Sequence, residues 1–212
     1  ENGNGVEVIA YYDLSEAGAK MRITYLYDGT SLNVTEQMVP ADSNKEVAGM
    51  FRFGMVMGLP YTMDKSHFFG RGPIENYNDR KESQLLGWYT QTADEQFYPY
   101  IRPQETGTKS DISIWEQTDG NGYGVIVTPA NPSLMYASAL HYDIKELDEG
   151  DNKAQRHPEQ LTKSKYTNLF IDGYHTGVGG VDSWSGWAEA LPQYRVKLDK
   201  ELSFQFCITP KR

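Results

Sequence analysis

Apolar and polar positions alternate with a period of two along most of this chain, and that alternation predicts strands. Val6–Tyr12 is an apolar run, and Met21–Tyr27 sets Ile23, Tyr25 and Tyr27 on one side. Asp28-Gly29 follows as a turn signal. Leu32–Val39 alternates again and stops at Pro40, and Met50–Met57 puts Phe51, Phe53, Met55 and Met57 on one face. His67–Arg80 opens as a strand and becomes a Gly/Pro loop, while Tyr98–Gly107 reads as irregular. Ile112–Trp115 and Tyr123–Thr128 form a strand pair around the Asp119–Gly122 turn, and Ala137–Tyr142 is a further short strand. The polar stretch from Asp143 to Lys165 holds one short helix or an irregular excursion, with Pro158 at a helix start. Leu169–Ile171 is a strand that breaks into a glycine loop, and Gln193–Leu198 and Leu202–Thr209 close the chain. Helix-length periodicity is nearly absent. The pattern predicts an all-β fold, a large two-sheet antiparallel β-sandwich forming a single domain over residues 1–212.

Composition agrees with short strands and many turns. The 212 residues include 15 tyrosines, 8 phenylalanines, 4 tryptophans, 20 glycines and 10 prolines. A chain of this length buries roughly 70% of its unfolded surface, so it needs no disulfide or metal staple. The net charge of −9 and the lack of a basic stripe argue against a nucleic-acid partner. No segment reaches the roughly 20 apolar residues of a membrane span, so no membrane partner is expected. The expected state is soluble, cytoplasmic or periplasmic. The single Cys207, inside an apolar alternation, reads as a buried small hydrophobe, and no Cys/His spacing suggests a metal. The chain starts at Glu1 without a signal peptide, which reads as a start cut from something longer, or processed.

Catalytic signatures are missing. No G-x-S-x-G elbow and no phosphate-cradling glycine loop occur. With 29 acidic residues, abundance alone identifies no glycosidase carboxyl pair. Three loops gather polar and aromatic groups. In the first, Arg71, Glu75, Asn76, Tyr77, Asp79 and Arg80 stand around Gly70, Gly72 and Pro73 and read as a clamp, with Arg80 pairing with Glu75 or Asp79. In the second, Glu105 lies in a turn with Pro103, Gln104 and Gly107. The third is the loop after Ile171, with His175, Asp182, Ser183 and Trp184, and Trp187 just beyond. An indole there either stacks on the C–H face of a sugar or packs under a folded-back loop. His175 alone reads more readily as structural than catalytic.

The segments GRGPIENYNDR (70–80), YIRPQETG (100–107) and DGYHTGVGGVDSW (172–184) occur in the same order in the C-terminal domain of glycoside hydrolase family 2 β-galactosidases, which this chain therefore resembles. The resemblance implies a galactose mutarotase-like supersandwich, the last domain of a five-domain chain. It implies that the two catalytic glutamates sit in an upstream (β/α)8 barrel, so that no catalytic residue lies here. It makes Trp184 the residue lent to the active-site rim, with Asp182, Ser183, His175 and Trp187 around the substrate. Glu75, Asn76, Asp79, Arg80 and Glu105 are left to fix loops. Mg²⁺ and Na⁺ are expected in the parent enzyme, with no metal or cofactor in this piece. Implied partners are a galactoside, the barrel and other domains of the same chain, and possible homo-oligomer copies of the parent. The sequence departs from the pattern in two places. Thr106-Gly107-Thr108-Lys109 replaces a segment that usually carries Asn and Arg, and Ser185-Gly186-Trp187 follows DSW. A free-standing aldose epimerase and a galactoside-binding module remain alternatives on the same fold.

Overall fold

The computed structural model describes residues 5–42, 49–148, 156–182 and 188–212. Twelve strands among these residues form two antiparallel sheets. They are β1 (Val6–Leu14), β2 (Ala19–Tyr27), β3 (Leu32–Pro40), β4 (Arg52–Pro60), β5 (Lys65–Gly72) and β6 (Leu85–Thr92). They continue as β7 (Lys109–Ile112), β8 (Ile114–Thr118), β9 (Gly124–Asn131), β10 (Met135–Leu140), β11 (Tyr166–His175) and β12 (Leu202–Lys211). The large sheet runs β1-β2-β3-β12-β9-β8-β5-β6 and the small sheet β4-β11-β10-β7.

The period-two pattern explains the core. On β12, Leu202, Phe204, Phe206 and Ile208 point inward beside Val34 and Met38 of β3 and Val127 of β9. They meet Phe53 and Leu59 of β4, Leu169 and Ile171 of β11, and Met135, Ala137 and Ala139 of β10. Trp115 stacks on Phe68 at 4.6 Å, and its Nε1 donates to Gln117 Oε1 at 2.9 Å. The layers touch where β11 crosses β12. A Cβ at Gly173 would lie 2.5 Å from the Phe204 ring, so only glycine fits there.

Strand β11 is longer than its apolar triplet suggests and is buried on both faces. Its outer face carries Phe170, which joins Leu140, Tyr142 and Leu147 under the excursions on either side of β7 and β10. The short helix α1 (Ala93–Gln96) starts with a Thr92/Glu95 capping box. Gln96 Nε2 donates to Ser66 Oγ at 2.8 Å, and Gln96 Oε1 accepts from Ala139 N at 3.0 Å. This buried amide therefore tethers one sheet to the other. The polar stretch after Asp143 holds α2 (Ile144–Leu147) and a 3₁₀ turn at Pro158–Gln160, with residues 149–155 outside the described set.

The structure corrects four expectations. Ile112–Trp115 is not one strand, because the chain passes from the small sheet to the large one at Ser113, beside Asp111 in the left-handed region (φ 54°). Gln193–Leu198 is not a strand. Pro192–Tyr194 forms a 3₁₀ turn and only Val196 bridges, to Met50, although Val196 and Leu198 do enter the core. Phe51 precedes β4, is half exposed and packs edge-on against His175. Cys207 belongs to the outward row of β12 and is half-buried. Strand β6 has no counterpart in the alternation.

Candidate functional site

The ends of β4, β5, β7 and β11 meet at one end of the sandwich, and the three polar loops interlock there. The loop after β5 turns back because Asn76 acts as a bracket. Its Nδ2 donates to the carbonyls of Arg71 (3.0 Å) and Ile74 (2.9 Å), and its Oδ1 accepts from Ser110 N at 2.9 Å. Glu75 is buried. Its carboxylate accepts from Gly107 N (2.8 Å), Thr106 Oγ1 (3.2 Å), Arg80 Nη2 (2.8 Å), and the phenols of Tyr77 and Tyr100. Gly107 has φ +81°, a left-handed turn residue that aims its N–H at that carboxylate. Arg80 lies over the Tyr77 ring at 5.5 Å.

Asp79 ties in the third loop. Its Oδ1 accepts from Val178 N at 3.2 Å and its Oδ2 from Gly179 N at 2.7 Å. A Cβ at Gly177 would meet the Asp79 carboxyl at 2.5 Å, so the loop can approach only with glycine there. Thr176 completes the join: its N–H donates to Phe51 O at 2.8 Å and its hydroxyl to Met50 O at 2.6 Å.

Beneath the loops lies an ionic network that local sequence spacing does not reveal. Arg52 opens β4, packs over the Phe170 ring at 4.8 Å, and donates from Nε to Asp172 Oδ2 at 3.1 Å. Its Nη1 stands 3.4 Å from Glu105 Oε2. Burial pushes the Asp172 carboxyl up to about 7, against the pull of Arg52. Glu105 Oε1 accepts from Thr108 Oγ1 at 2.6 Å and lies 3.8 Å from His175 Nε2. His175 is fully covered, ringed by Phe51, Tyr77 and Tyr136. Its Nδ1 faces the Thr176 carbonyl at 2.7 Å, so Nδ1 carries the proton and Nε2 is bare in the neutral ring. Burial also lowers its pKa. Lys109 is buried too. Burial brings its ammonium down to about 7 while Glu75 opposes this, and Nζ donates to Gly107 O at 2.6 Å.

Among the residues singled out from the sequence, Glu75, Asn76, Asp79, Arg80, Glu105 and His175 thus come together. Asp182 is exposed. Ser183, Trp184 and Trp187 lie outside the described residues. Glu75 and Asp79 accept from backbone N–H groups, whereas Glu105 engages only side chains, those of Thr108, Arg52 and His175. The described residues include no group of three or more His, Cys, Asp or Glu side chains arranged for a metal. Beside the network a pocket of about 380 Å³ opens between Ile74, Arg80, Tyr98 and Tyr100. No helix among the described residues is long and apolar enough to cross a membrane.

Fold and site together define an all-β, two-sheet antiparallel sandwich with a loop platform clamped at one end. Residues 1–208 match the family described as β-galactosidase small chain, and the chain belongs to that family. It is 32% identical over 202 residues to the β-galactosidase BgaC of Bifidobacterium adolescentis, covering 94% of this chain and 18% of that protein. Against the β-galactosidase of Priestia megaterium it is 29% identical over 198 residues, covering 93% and 18%. The chain thus spans about 18% of the length of these curated relatives. A solved structure of a putative aldose 1-epimerase from Escherichia coli K12 is similar at a TM-score of 0.43 and 10% identity, covering 99% of this chain and 66% of that one.

Proposed function

We propose that this chain is the C-terminal domain of a glycoside hydrolase family 2 β-galactosidase that hydrolyses terminal non-reducing β-D-galactosides. In this reading it packs on the catalytic barrel and builds one aromatic wall of the substrate pocket, while the catalytic glutamates belong to the rest of the polypeptide. The observation that carries the reading is the interlock of the three motifs shared with β-galactosidases. Glu75 binds the second motif through Gly107, and Asp79 binds the third through Val178 and Gly179. A loop clamped up to Gly179 gives the following DSW segment a defined origin, which a rim residue requires. Trp184 is the wall, Asp182 and Ser183 set its approach, and Trp187 widens it. His175 supports the loop from below.

The test uses the full-length polypeptide. Trp184→Ala should raise KM for galactosides about tenfold and change kcat less, because stacking holds substrate and transition state alike. An unchanged KM removes the aromatic wall. The 212-residue chain alone should not hydrolyse a chromogenic β-galactoside, and turnover above the buffer rate would place a catalytic pair within it.

An aldose epimerase would need a carboxylate base and a histidine acid open to one sugar ring. His175 is instead covered on every side, which favours the first reading. Polarimetry of fresh α-galactose should accordingly show no acceleration by this chain.

A further inference from the structure

The large sheet is eight strands wide and the small sheet four, and the β1–β2 ribbon forms one margin of the larger. Among the described residues strand β1 pairs with β2 alone, in register from Val6↔Tyr27 to Leu14↔Ala19 without a shift. The inward row of β2 begins with buried Ala19 and Ile23 and continues through Met21 and Tyr25, which pack against the core. That row carries on across β1 as Val6, Val8, Ala10, Tyr12 and Leu14. Exposure climbs along it from 1% at Val34 on β3 to 55% at Val8 on β1. The apolar layer therefore extends into solvent at this margin. On the other face of β1, Ile9 and Tyr11 are exposed as well.

Finished sheet margins are blunted by lysine, proline, bulges or a covering element, because a bare edge templates further pairing. The sequence of β1, VEVIAYYDL, has neither lysine nor proline.

Two occupants of the margin compete. A second copy pairing antiparallel about Ala10 would set Glu7 against Asp13 of its mate, and like charges directly opposite destabilise a ladder. The remainder of the polypeptide is the better candidate, because this chain spans only 18% of its relatives' length. We infer that β1 is an interior strand of the complete β-galactosidase, and that its free edge and inward apolar row receive an extended, alternately apolar segment from the rest of that polypeptide. This rests on the reading of the chain as one part of a longer β-galactosidase.

Hydrogen exchange on the full-length polypeptide tests it. Backbone amides of Val6–Leu14 that point away from β2 should exchange about 100-fold or more slowly than free amides, in the range of β3. Exchange at the rate of an exposed edge overturns the inference. So does protection that disappears on dilution, which would make a second copy the occupant. Val8→Asp should speed exchange along β1 and lower Tm, whereas Tyr11→Asp on the other face should leave β1 exchange as in the wild type. If Val8→Asp leaves β1 exchange unchanged, the inward row is not covered and the inference fails. Hydrolysis of a chromogenic galactoside by the wild-type polypeptide is measured in parallel. Absent hydrolysis sinks the β-galactosidase reading, while β1 exchange decides this one.

Discussion

At the loop end of the sandwich, Glu75 alone gathers donors from the chain near residues 77–80, 100 and 106–107. At the ribbon end, Val6, Val8, Tyr11 and Tyr12 stand largely in solvent. Both regions belong to one polypeptide, yet the first is closed by its own residues and the second is left open. The difference shows what each is built for. A buried polar group with its donors in place specifies a single geometry, and Glu75 is such a group, whereas Arg52 Nη2 and His175 Nε2 deeper in the network have no hydrogen-bond partner among the described residues. A bare apolar strand has no such self-sufficiency and depends on what covers it.

The contrast can be broken at its strongest point first. Glu75→Ala removes a buried carboxylate and leaves the Gly107 N–H and the Arg80 guanidinium without it. The expected loss is about 3–5 kcal/mol, read by denaturant unfolding, with Glu75→Gln losing less. A loss under ~1 kcal/mol would mean that the loop end is not held by this group.

Glu36→Gln should act in the opposite direction. Burial and the neighbouring Asp172 push the Glu36 carboxyl up to about 7, above its unfolded value. The folded state therefore holds the proton more tightly, and the wild type loses stability as pH rises from about 4 to 7. Above pH 7 the glutamine variant should be more stable by on the order of 2–3 kcal/mol, and near pH 4 the two should match. Parallel Tm–pH curves would refute this assignment.

Asp79→Ala gives the smallest of these effects, about 1–2 kcal/mol, and a local one. The amides of Val178 and Gly179 should exchange faster while those of the core strands do not change. On the proposed function, KM of the full-length polypeptide for a galactoside should rise with Trp184 still present. Equal protection of those amides in variant and wild type would remove Asp79 as the clamp.

Much of the architecture was legible because strand parity is a strong signal. Glu36 shares parity with Val34 and Met38, so the alternation already turns it inward, against its charge. Strand β12 reads almost residue by residue. The failures have physical reasons. Pro192 denies the last approach a ladder, although Val196 and Leu198 keep an inward rhythm. Strand β6 carries exposed Leu85, Leu86 and Trp88 at a sheet edge, so burial does not stamp an alternation on it. Val6–Tyr12 has the composition of a buried strand but an exposed position. At the loop end, the Glu75–Arg80 pair is close in sequence and was readable. Arg52 was not, because its partner Asp172 lies 120 residues away and no spacing rule reaches that far.

The passage at Ser113 has one more consequence. Strands β7 and β8 belong to different sheets, yet one residue joins them, and Ser113 N is itself fastened to Phe69 O at 3.1 Å. Neither layer can peel away without dragging the other, so heating should produce one cooperative melting event in which both layers are lost together.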